Sequence, residues 1–337
     1  MKIGIFSDAF ETKNESYDVK YERVGRNSGN LVFLRSIRKL FDPTFINPYY
    51  GYHDVKEKYE DVDAFITTDL IWIRPNTRME NVECIFKHVG DRPLIPISVG
   101  LQADTTSTDF EMHPETAKLL QEMSERCTIG VRGYYAAYIL NKNHVKNIAV
   151  IGCPSLFYKS NYDFKAPADY NNIKAISSYR TAFYPDFHRW SSPKELEYLS
   201  YCTSYNMGFV EQTGMNEMDD NAKFGAWINR NRTIFFDVDE WDTYLQNYDF
   251  HIGMRFHGGI ISMQNGLRSL FLTSDSRTTE LTDFFCLPKM PVSEFDASKP
   301  IEYYYEKADY SQFNKRFEYL KDNFRAFSEV NGMTVNL

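Results

Sequence analysis

The segment FHIGMRFHGGIISMQNGLRSLFL, residues 250–272, contains a complete strand–helix–strand pattern. The run 250–255 is typical of a buried strand, residues 258–266 of a helix that ends at Gly266, and 269–274 of a second strand. Two strands joined through a helix pack as parallel neighbours in one sheet. The segment therefore predicts a parallel α/β sheet with helices against its faces.

The same alternation continues on both sides of this segment. Before it we predict strands at 2–6, 63–68, 94–100, 127–132 and 147–152, and helices at 29–40, 114–126 and 134–142. A polar stretch without periodicity, 158–172, is the candidate linker. After it we predict strands at 173–178, 207–212 and 233–237, and helices at 193–205, 217–229 and 238–248.

This pattern predicts an α/β fold with two doubly wound, Rossmann-like domains that face each other across a cleft. The first domain is residues 1–160 and the second is residues 173–310, followed by a C-terminal helix segment, 311–337. Ligands of such folds bind beyond the carboxyl ends of the strands, so we expect a site in the cleft.

Composition narrows the class of protein. The chain has 337 residues, a hydrophobic fraction of 43% and a net charge of −8, which disfavour disorder and general nucleic-acid binding. Five scattered Cys without a CxxC pair are typical of reduced thiols, and the N-terminal MKIGIFSDAF lacks the apolar core of a signal peptide. We expect a cytoplasmic protein without a transmembrane segment.

Arg255 and His257 lie between the strand and the helix of the opening segment, directly before Gly258 and Gly259. The guanidinium suits a carboxylate or a phosphate, and a helix N-terminus also attracts anions. His257 can hold or deliver a proton near neutral pH, and the glycines would let the backbone approach a ligand. The residues therefore predict an anion-binding turn with a proton donor, although a capped turn with a surface Arg also fits the spacing.

Two further arginines occupy comparable positions. Arg132 ends a strand in GVRG, 130–133, and can face Arg255 across the cleft. Arg277 follows the next strand in TSDSRTTEL, 273–281, as a third anion contact, although Thr278 or Thr279 there can simply cap a helix. Two or three guanidinium groups suit a ligand with two anionic groups.

Polar residues at other strand ends are candidates for a second substrate. Asp69 follows a strand in TTDLIW and can accept a proton from a hydroxyl group. We assign Asn27, Ser98 and Gln102 to the same acceptor side, although turn and cap chemistry would explain them too. The sequence has no HExxH, GxSxG or GxGxxG motif, so neither a metal site nor a dinucleotide cofactor is predicted.

The chain resembles the polysaccharide pyruvyl transferases. The resemblance extends over about 25–275 and rests on four segments: NSGN, ISVG, VRG before a helix, and above all GMRFHGGIISMQNGLRSLFLTSDSRTTEL. It implies a glycosyltransferase-B-like fold and donor binding by Arg132, Arg255, Phe256 and His257. The family often has Asp in a G-D-P segment, which is written GCPSLF here, 152–157. Cys153 and Ser155 therefore put a role for that carboxylate in doubt.

The resemblance also implies an activity. Members of the family transfer the enolpyruvyl group of phosphoenolpyruvate to two sugar hydroxyls, which gives a cyclic pyruvate ketal and releases phosphate, usually without a metal or other cofactor. In this chain, His257 would protonate the enol carbon or the leaving phosphate, or only hold the donor. Asp69 would act as base, and Arg132, Arg255, Arg277 and the helix N–H groups at Gly258 and Gly259 would bind the donor.

The implied acceptor is a surface polysaccharide of the cell envelope, such as a capsule or exopolysaccharide, or its lipid- or nucleotide-linked sugar precursor. A lipid-linked acceptor would bring the protein into transient contact with a membrane surface. Two alternatives remain: a glycosyltransferase that uses a nucleotide-sugar donor, and a non-catalytic glycan-binding member of the fold. The sequence identifies neither the sugar nor the oligomeric state.

Overall fold

The computed structural model describes residues 1–7, 14–46, 59–179, 192–213 and 224–337. The helix predicted at 217–229 lies partly outside these ranges, and its described part begins at Gly225. None of the described helices combines the length and the apolar character that a membrane-spanning helix needs.

Within residues 1–7, 14–46 and 59–160, the first unit has six parallel strands and five helices. The strands are β1 (Ile3–Phe6), β2 (Thr44–Ile46), β3 (Ala64–Thr67), β4 (Leu94–Pro96), β5 (Ile129–Val131) and β6 (Ile148–Val150). The helices are α1 (Tyr17–Arg23), α2 (Gly29–Phe41), α3 (Glu80–His88), α4 (Pro114–Ser124) and α5 (Tyr134–Lys142). The strand order is β2-β1-β3-β4, and a bridge between Val99 and Val131 continues it into the β5–β6 pair.

In the described part of the second unit, the parallel strands are β7 (Ala175–Tyr179), β8 (Gly208–Glu211), β9 (Arg232–Thr233), β10 (Phe250–Gly253), β11 (Arg268–Thr273) and β12 (Lys289–Pro291). Its helices are α6 (Pro193–Ser204), α7 (Gly225–Asn231), α8 (Val238–Leu245), α9 (Phe256–Gln264), α10 (Ser276–Phe285) and α11 (Ile301–Lys307), and α12 (Ser311–Val330) follows. The strand order β12-β11-β10-β7-β8-β9 is that of a Rossmann fold. The predicted architecture of two doubly wound α/β units is confirmed.

Most elements lie where local patterns predict them. The side chain of Asp237 accepts hydrogen bonds from the backbone N–H groups of Asp239 and Glu240 and so caps α8. Gly266, with φ +82°, follows the end of α9. The strand predicted at 233–237 is wrong, because only Arg232 and Thr233 pair with β8.

The two units interlock through helices at both ends of the chain. On α2, Arg35 pairs with Asp242 and Gln264 of the second unit. On α12, the Phe324 ring packs against Phe157 of the first unit, with ring centroids 4.7 Å apart. One apolar cluster therefore runs through both units, while a second fills one side of the first sheet.

Candidate active site

A cavity of about 290 Å³ opens between the two units. Ser7, which follows β1, and Asp69, which follows β3, line it from the first unit. Thr213, Arg255 and Arg277, which follow β8, β10 and β11, line it from the second. These residues lie beyond the carboxyl ends of strands, near the points where each strand order reverses. The doubly wound topology places ligands at such points.

The lining of this cavity is cationic, although the whole chain has a net charge of −8. Four arginines line it: Arg26, Arg74, Arg255 and Arg277. Among the described lining residues, Asp69 has the one carboxylate. Such a concentration of guanidinium groups inside an acidic protein favours an anionic ligand.

A chain of hydrogen bonds orients Arg255. Its Nη2 donates to Thr213 Oγ1 at 3.0 Å, and Thr213 Oγ1 donates to Glu211 Oε1 at 2.8 Å. Glu211 is fully buried at the end of β8 and also accepts the backbone N–H groups of Gln212 and Thr213. The carboxylate thereby holds the turn after β8 in place and directs the Arg255 guanidinium.

The glycines of the predicted turn have another function than expected. Helix α9 begins at Phe256, so Gly258 and Gly259 lie inside its first turn. A Cβ at Gly258 would come within 2.4 Å of Ser178 Oγ, and one at Gly259 within 2.4 Å of the Phe271 ring. The glycines therefore permit close packing of α9 on the sheet, and the approach of a ligand to their backbone N–H groups stays a prediction.

Arg132 and Ser98 lie together behind the cavity wall. Arg132 is only 4% exposed and donates from Nε to Ser98 Oγ at 3.1 Å. Burial lowers the pKa of Arg132 to about 10, so the group stays charged at neutral pH. Ser98 is fully buried and has a positive φ of 66°, a strained conformation for a non-glycine residue. It orients Arg132, and the prediction that Ser98 contacts the acceptor is corrected accordingly.

His257 lies among the arginines in a dry environment. Burial, and then the charges of Arg132, Arg277 and Arg255, lower its pKa to about 3. The imidazole is therefore neutral at pH 7, unlike the expectation of a histidine that titrates near neutral pH. An anion bound among the three guanidinium groups would offset their charge and favour protonation of the ring.

Cys153 contacts His257 from the first unit. Its Sγ lies 3.6 Å from His257 Nε2 and 3.0 Å from Ser155 Oγ. Burial raises the pKa of the thiol, so the group beside the imidazole is neutral. The position that resembles the Asp of G-D-P is thus in contact with His257, and it supplies no negative charge.

Arg277 is held at the start of α10. Asp275 is the N-cap of this helix and accepts the Thr278 N–H at 2.8 Å, so the predicted cap by Thr278 or Thr279 is wrong. The Arg277 Nη2 lies 3.4 Å from Asp275 Oδ2 and the side chain lines the cavity.

Phe256, which the resemblance assigns to donor binding, packs on Phe271, with ring centroids 5.7 Å apart, and is not among the residues that line the cavity.

The residues assigned to the acceptor side lie at the same cavity, Ser98 excepted. Asp69, Asn27 and Gln102 all line it. Asn27 Oδ1 accepts the Gly29 N–H at 3.1 Å, and the Gln102 N–H donates to Ile73 O at 2.7 Å. The structure thus brings these candidates together with Arg255 and Arg277, while Arg132 and His257 lie directly behind.

Sequence reasoning missed several residues of this site. Glu211 ends β8 and Thr213 follows it in GFVEQT, and the rule that ligands bind at strand ends would have found them. Trp72 lines the cavity three residues after Asp69, but nothing in the local pattern distinguishes it from a core residue. Glu280 is a buried carboxylate on α10 whose Oε1 accepts the Ala136 N–H at 2.6 Å.

Comparison with known proteins gives a family and distant structural neighbours. Residues 27–276 match the family model described as polysaccharide pyruvyl transferase. No curated protein matches the chain in sequence. Among solved structures, S. aureus MnaA with UDP is 12% identical with a TM-score of 0.43, and the alignment covers 99% of this chain and 93% of that one.

Two other neighbours are similarly distant. An E. coli trehalose-6-phosphate protein bound with UDP-2-fluoro glucose is 10% identical, with a TM-score of 0.45 and full coverage of both chains (100% and 100%). A UDP-N-acetylglucosamine 2-epimerase from Rickettsia bellii is 9% identical, with a TM-score of 0.42 and coverage of 97% of each chain. Similarity at this level carries no conclusion about function.

Proposed function

The chain belongs to the polysaccharide pyruvyl transferase family, and on that premise we propose that it transfers the enolpyruvyl group of phosphoenolpyruvate to two hydroxyls of a sugar. The product is a cyclic pyruvate ketal, and phosphate is released. The observation that carries the proposal is the group of three arginines around His257, next to a cavity that also contains Asp69.

The arginines match the charges of the donor. Phosphoenolpyruvate has a carboxylate and a phosphate, and guanidinium groups bind both in a bidentate manner. Arg255 and Arg277 reach the donor from the cavity wall, and Arg132 adds charge from behind it. Because all three are fixed by hydrogen bonds or burial, they are arranged before the donor arrives.

His257 and Asp69 supply the proton transfers. The bound donor neutralises the arginines, which raises the pKa of His257 and lets its ring carry a proton to C3 of the donor or to the leaving phosphate. The oxygen of the first sugar hydroxyl bonds to C2, and Asp69 accepts the proton that this hydroxyl loses. The second hydroxyl then attacks C2 as the C–O bond to phosphate breaks, which closes the ketal. One hydroxyl proton balances the proton gained at C3, and the other leaves with phosphate.

The acceptor in this proposal is a sugar of a surface polysaccharide, such as a capsule or exopolysaccharide, or of its precursor. We place the reaction in the cytoplasm, where phosphoenolpyruvate is made. No resident cofactor takes part in the proposed steps. A lipid-linked precursor would bring the protein to the membrane surface only for the duration of a turnover.

The test is to incubate the protein with phosphoenolpyruvate and a panel of glycans, and to measure phosphate release together with the mass gain of one ketal on the sugar. We expect His257→Gln to lower kcat by roughly 10²-fold or more, because a positioned acid contributes that much. Arg255→Ala should weaken phosphoenolpyruvate binding by roughly 10- to 100-fold in calorimetry, since a charged hydrogen bond is lost.

Arg325→Ala is the matched control, because the side chain of this arginine is 42% exposed on α12 and pairs only with Asp322 among the described carboxylates. Circular dichroism verifies the fold of each variant. Sugar transfer from a nucleotide sugar, without phosphate release from phosphoenolpyruvate, would overturn the proposal in favour of a glycosyltransferase. Full turnover by His257→Gln would overturn the assignment of the acid.

A further inference from the structure

We propose that the acceptor sugar carries a phosphate group, that its ring stacks on Trp72 and that Arg74 binds the phosphate. This inference rests on the proposed function, because it concerns the second substrate of the same cavity. It narrows the acceptor from any glycan to a sugar phosphate or a diphosphate-linked sugar. Neither residue belongs to the donor-binding group described above.

The Trp72 ring is presented to the cavity by a rigid backbone. Its side chain lines the cavity and is 40% exposed. The loop around it is hydrogen-bonded to the segment that follows β4: the Gly100 N–H donates to Leu70 O, and the Ile73 N–H donates to Gly100 O, both at 3.0 Å. Ile73 itself is fully buried and anchors the loop.

An exposed Trp at a cavity needs a reason, because a large apolar surface in water is unfavourable. Within the described part of the chain, no aromatic ring or cation packs on the Trp72 indole. Its face is therefore available to the C–H groups of a sugar ring. Asp69, the proposed base, lines the same cavity three residues earlier in the chain, so a ring on Trp72 has its hydroxyls near this carboxylate.

The charges of the cavity exceed what the donor requires. Arg132, Arg255 and Arg277 surround His257 and match the carboxylate and phosphate of phosphoenolpyruvate. Arg26 pairs with Glu22 at 2.9 Å. Arg74 also lines the cavity, is exposed, and has no ion-pair partner among the carboxylates that the structure describes. The positive charge of Arg74 therefore favours an anionic group on the acceptor.

Arg74 is placed to bind that anion while the ring lies on Trp72. The two residues flank the buried Ile73, and both line the cavity. A volume of about 290 Å³ accommodates a three-carbon donor and one sugar ring, which leaves further groups of the acceptor at the opening. The exposed guanidinium of Arg74 therefore meets a phosphate attached to the ring.

The first experiment measures binding without the donor. Titrations compare hexose 1-phosphates, UDP-hexoses and hexosyl diphosphate polyprenols in detergent with the methyl hexosides of the same sugars. We expect at least one phosphate-bearing form to bind about 10-fold tighter or more than its methyl hexoside, because a charged hydrogen bond is gained. The form that binds best distinguishes a free, a nucleotide-linked and a lipid-linked source.

Two variants locate the contacts. Arg74→Ala should abolish the preference for the phosphate-bearing form. Trp72→Ala should weaken binding of the phosphate-bearing form and of its methyl hexoside alike, by roughly 2- to 10-fold, and Trp72→Phe should restore part of it. Arg325→Ala again serves as the control, since its position on α12 is outside the cavity. Equal affinity for the methyl hexosides, or an unchanged preference in Arg74→Ala, would overturn the inference.

The outcomes also separate this inference from the proposed function. Turnover of phosphoenolpyruvate with a neutral glycan, at the same rate in Arg74→Ala as in the wild type, would overturn the phosphate subsite and leave the pyruvyl transfer standing. Binding of a sugar phosphate that depends on Arg74, without any phosphate release from phosphoenolpyruvate, would support the subsite and overturn the proposed reaction.

Discussion

Cys153 distinguishes this chain from the family pattern at the level of a single residue. A carboxylate in contact with the imidazole would stabilise the protonated ring, whereas the neutral thiol 3.6 Å from His257 does not. Burial, and then the charges of Arg132, Arg277 and Arg255, lower the pKa of His257 to about 3, and the neutral Cys153 thiol adds no negative charge beside the ring. An anion bound beside the ring would favour its protonation, and under the proposed function the donor would supply that charge.

The first prediction concerns Cys153→Asp. The new carboxylate would lie beside His257 and near Arg132, which keeps it ionised, and the pKa of His257 should rise from about 3 to roughly 4–6. The measurement is an NMR titration of the imidazole signals in the absence of donor.

A second cysteine–histidine contact in the chain supplies the control. Cys84 Sγ lies 3.7 Å from His88 Nδ1 on α3, outside the cavity. Cys84→Asp should leave the titration of His257 unchanged, and Cys153→Ser should do the same because it adds no charge. An unaltered pKa of His257 in Cys153→Asp would contradict the electrostatic account.

Helix α10 is the element that joins the two units at the site. Ser276 donates its N–H to Ala103 O and its hydroxyl to Leu101 O, each at 3.0 Å. One turn later, Glu280 Oε1 accepts the Ala136 N–H at the start of α5. Because Arg277 lies between these contacts and Arg132 lies just before α5, the docking of α10 sets the positions of both arginines.

The second prediction is the pH dependence of this docking. Burial raises the pKa of Glu280 to about 7, above the 4.5 of an exposed carboxyl group. A raised pKa in the folded state contributes stability that is fully present below pH 4.5 and is lost as the pH rises through 7. The loss amounts to about 3 kcal/mol for this difference in pKa. Glu280→Gln keeps a hydrogen-bond acceptor for the Ala136 N–H but has no ionisable group, so it should not show this loss of stability with rising pH.

Urea unfolding of wild type and Glu280→Gln at pH 5 and pH 8 measures this effect. The stability of the variant relative to the wild type should be higher at pH 8 than at pH 5. Glu318→Gln is the control, because Glu318 is a mostly exposed carboxylate on α12 that pairs with Lys321. If the difference between Glu280→Gln and wild type were the same at both pH values, the pKa assigned to Glu280 would be wrong.

At the scale of the whole molecule, the two sheets do not form separate bodies. Helix α2 of the first unit pairs with the second through Arg35, and α12, which follows the second unit, returns to the first. Asn331, just after α12, donates a side-chain N–H to Thr128 O at 3.1 Å, and Asn323 Nδ2 donates to Val150 O. The C-terminal helix is thus part of the first unit's packing.

The third prediction tests this arrangement with Phe324→Ala. The Phe324 ring is fully buried against Phe157 and Phe41, so its loss should cost roughly 3–5 kcal/mol. Hydrogen exchange should show the loss of protection in β5 and β6 of the first unit, although the mutation lies after the second. Tyr319→Ala, at a side chain that is 61% exposed on the same helix, should leave both strands protected. Increased exchange confined to residues 173–310 would contradict the interlocked fold.

The sequence by itself determined the elements and their parallel order. The helices Tyr134–Lys142 and Ser311–Val330 lie at their predicted positions, and Asp237 caps α8 as its spacing indicates. Periodicity, caps and strand–helix alternation depend on residues within about four positions of each other, so they can be read from a short stretch of chain. The grouping of Arg255 and Arg277 at one sheet edge followed from the same local rules.

Only the tertiary structure decided the environment of the site. The contact of His257 with Cys153 joins residues 104 positions apart, and the shift of the His257 pKa depends on burial and then on arginines from both units. The burial of Ser98 behind Arg132 and the exposure of Trp72 likewise depend on how distant segments pack. Burial and electrostatic fields depend on the whole packed chain, whereas periodicity depends only on residues that are close together in sequence. The sequence therefore determined which groups are present, and the packing decided which of them are charged, neutral or open to a substrate.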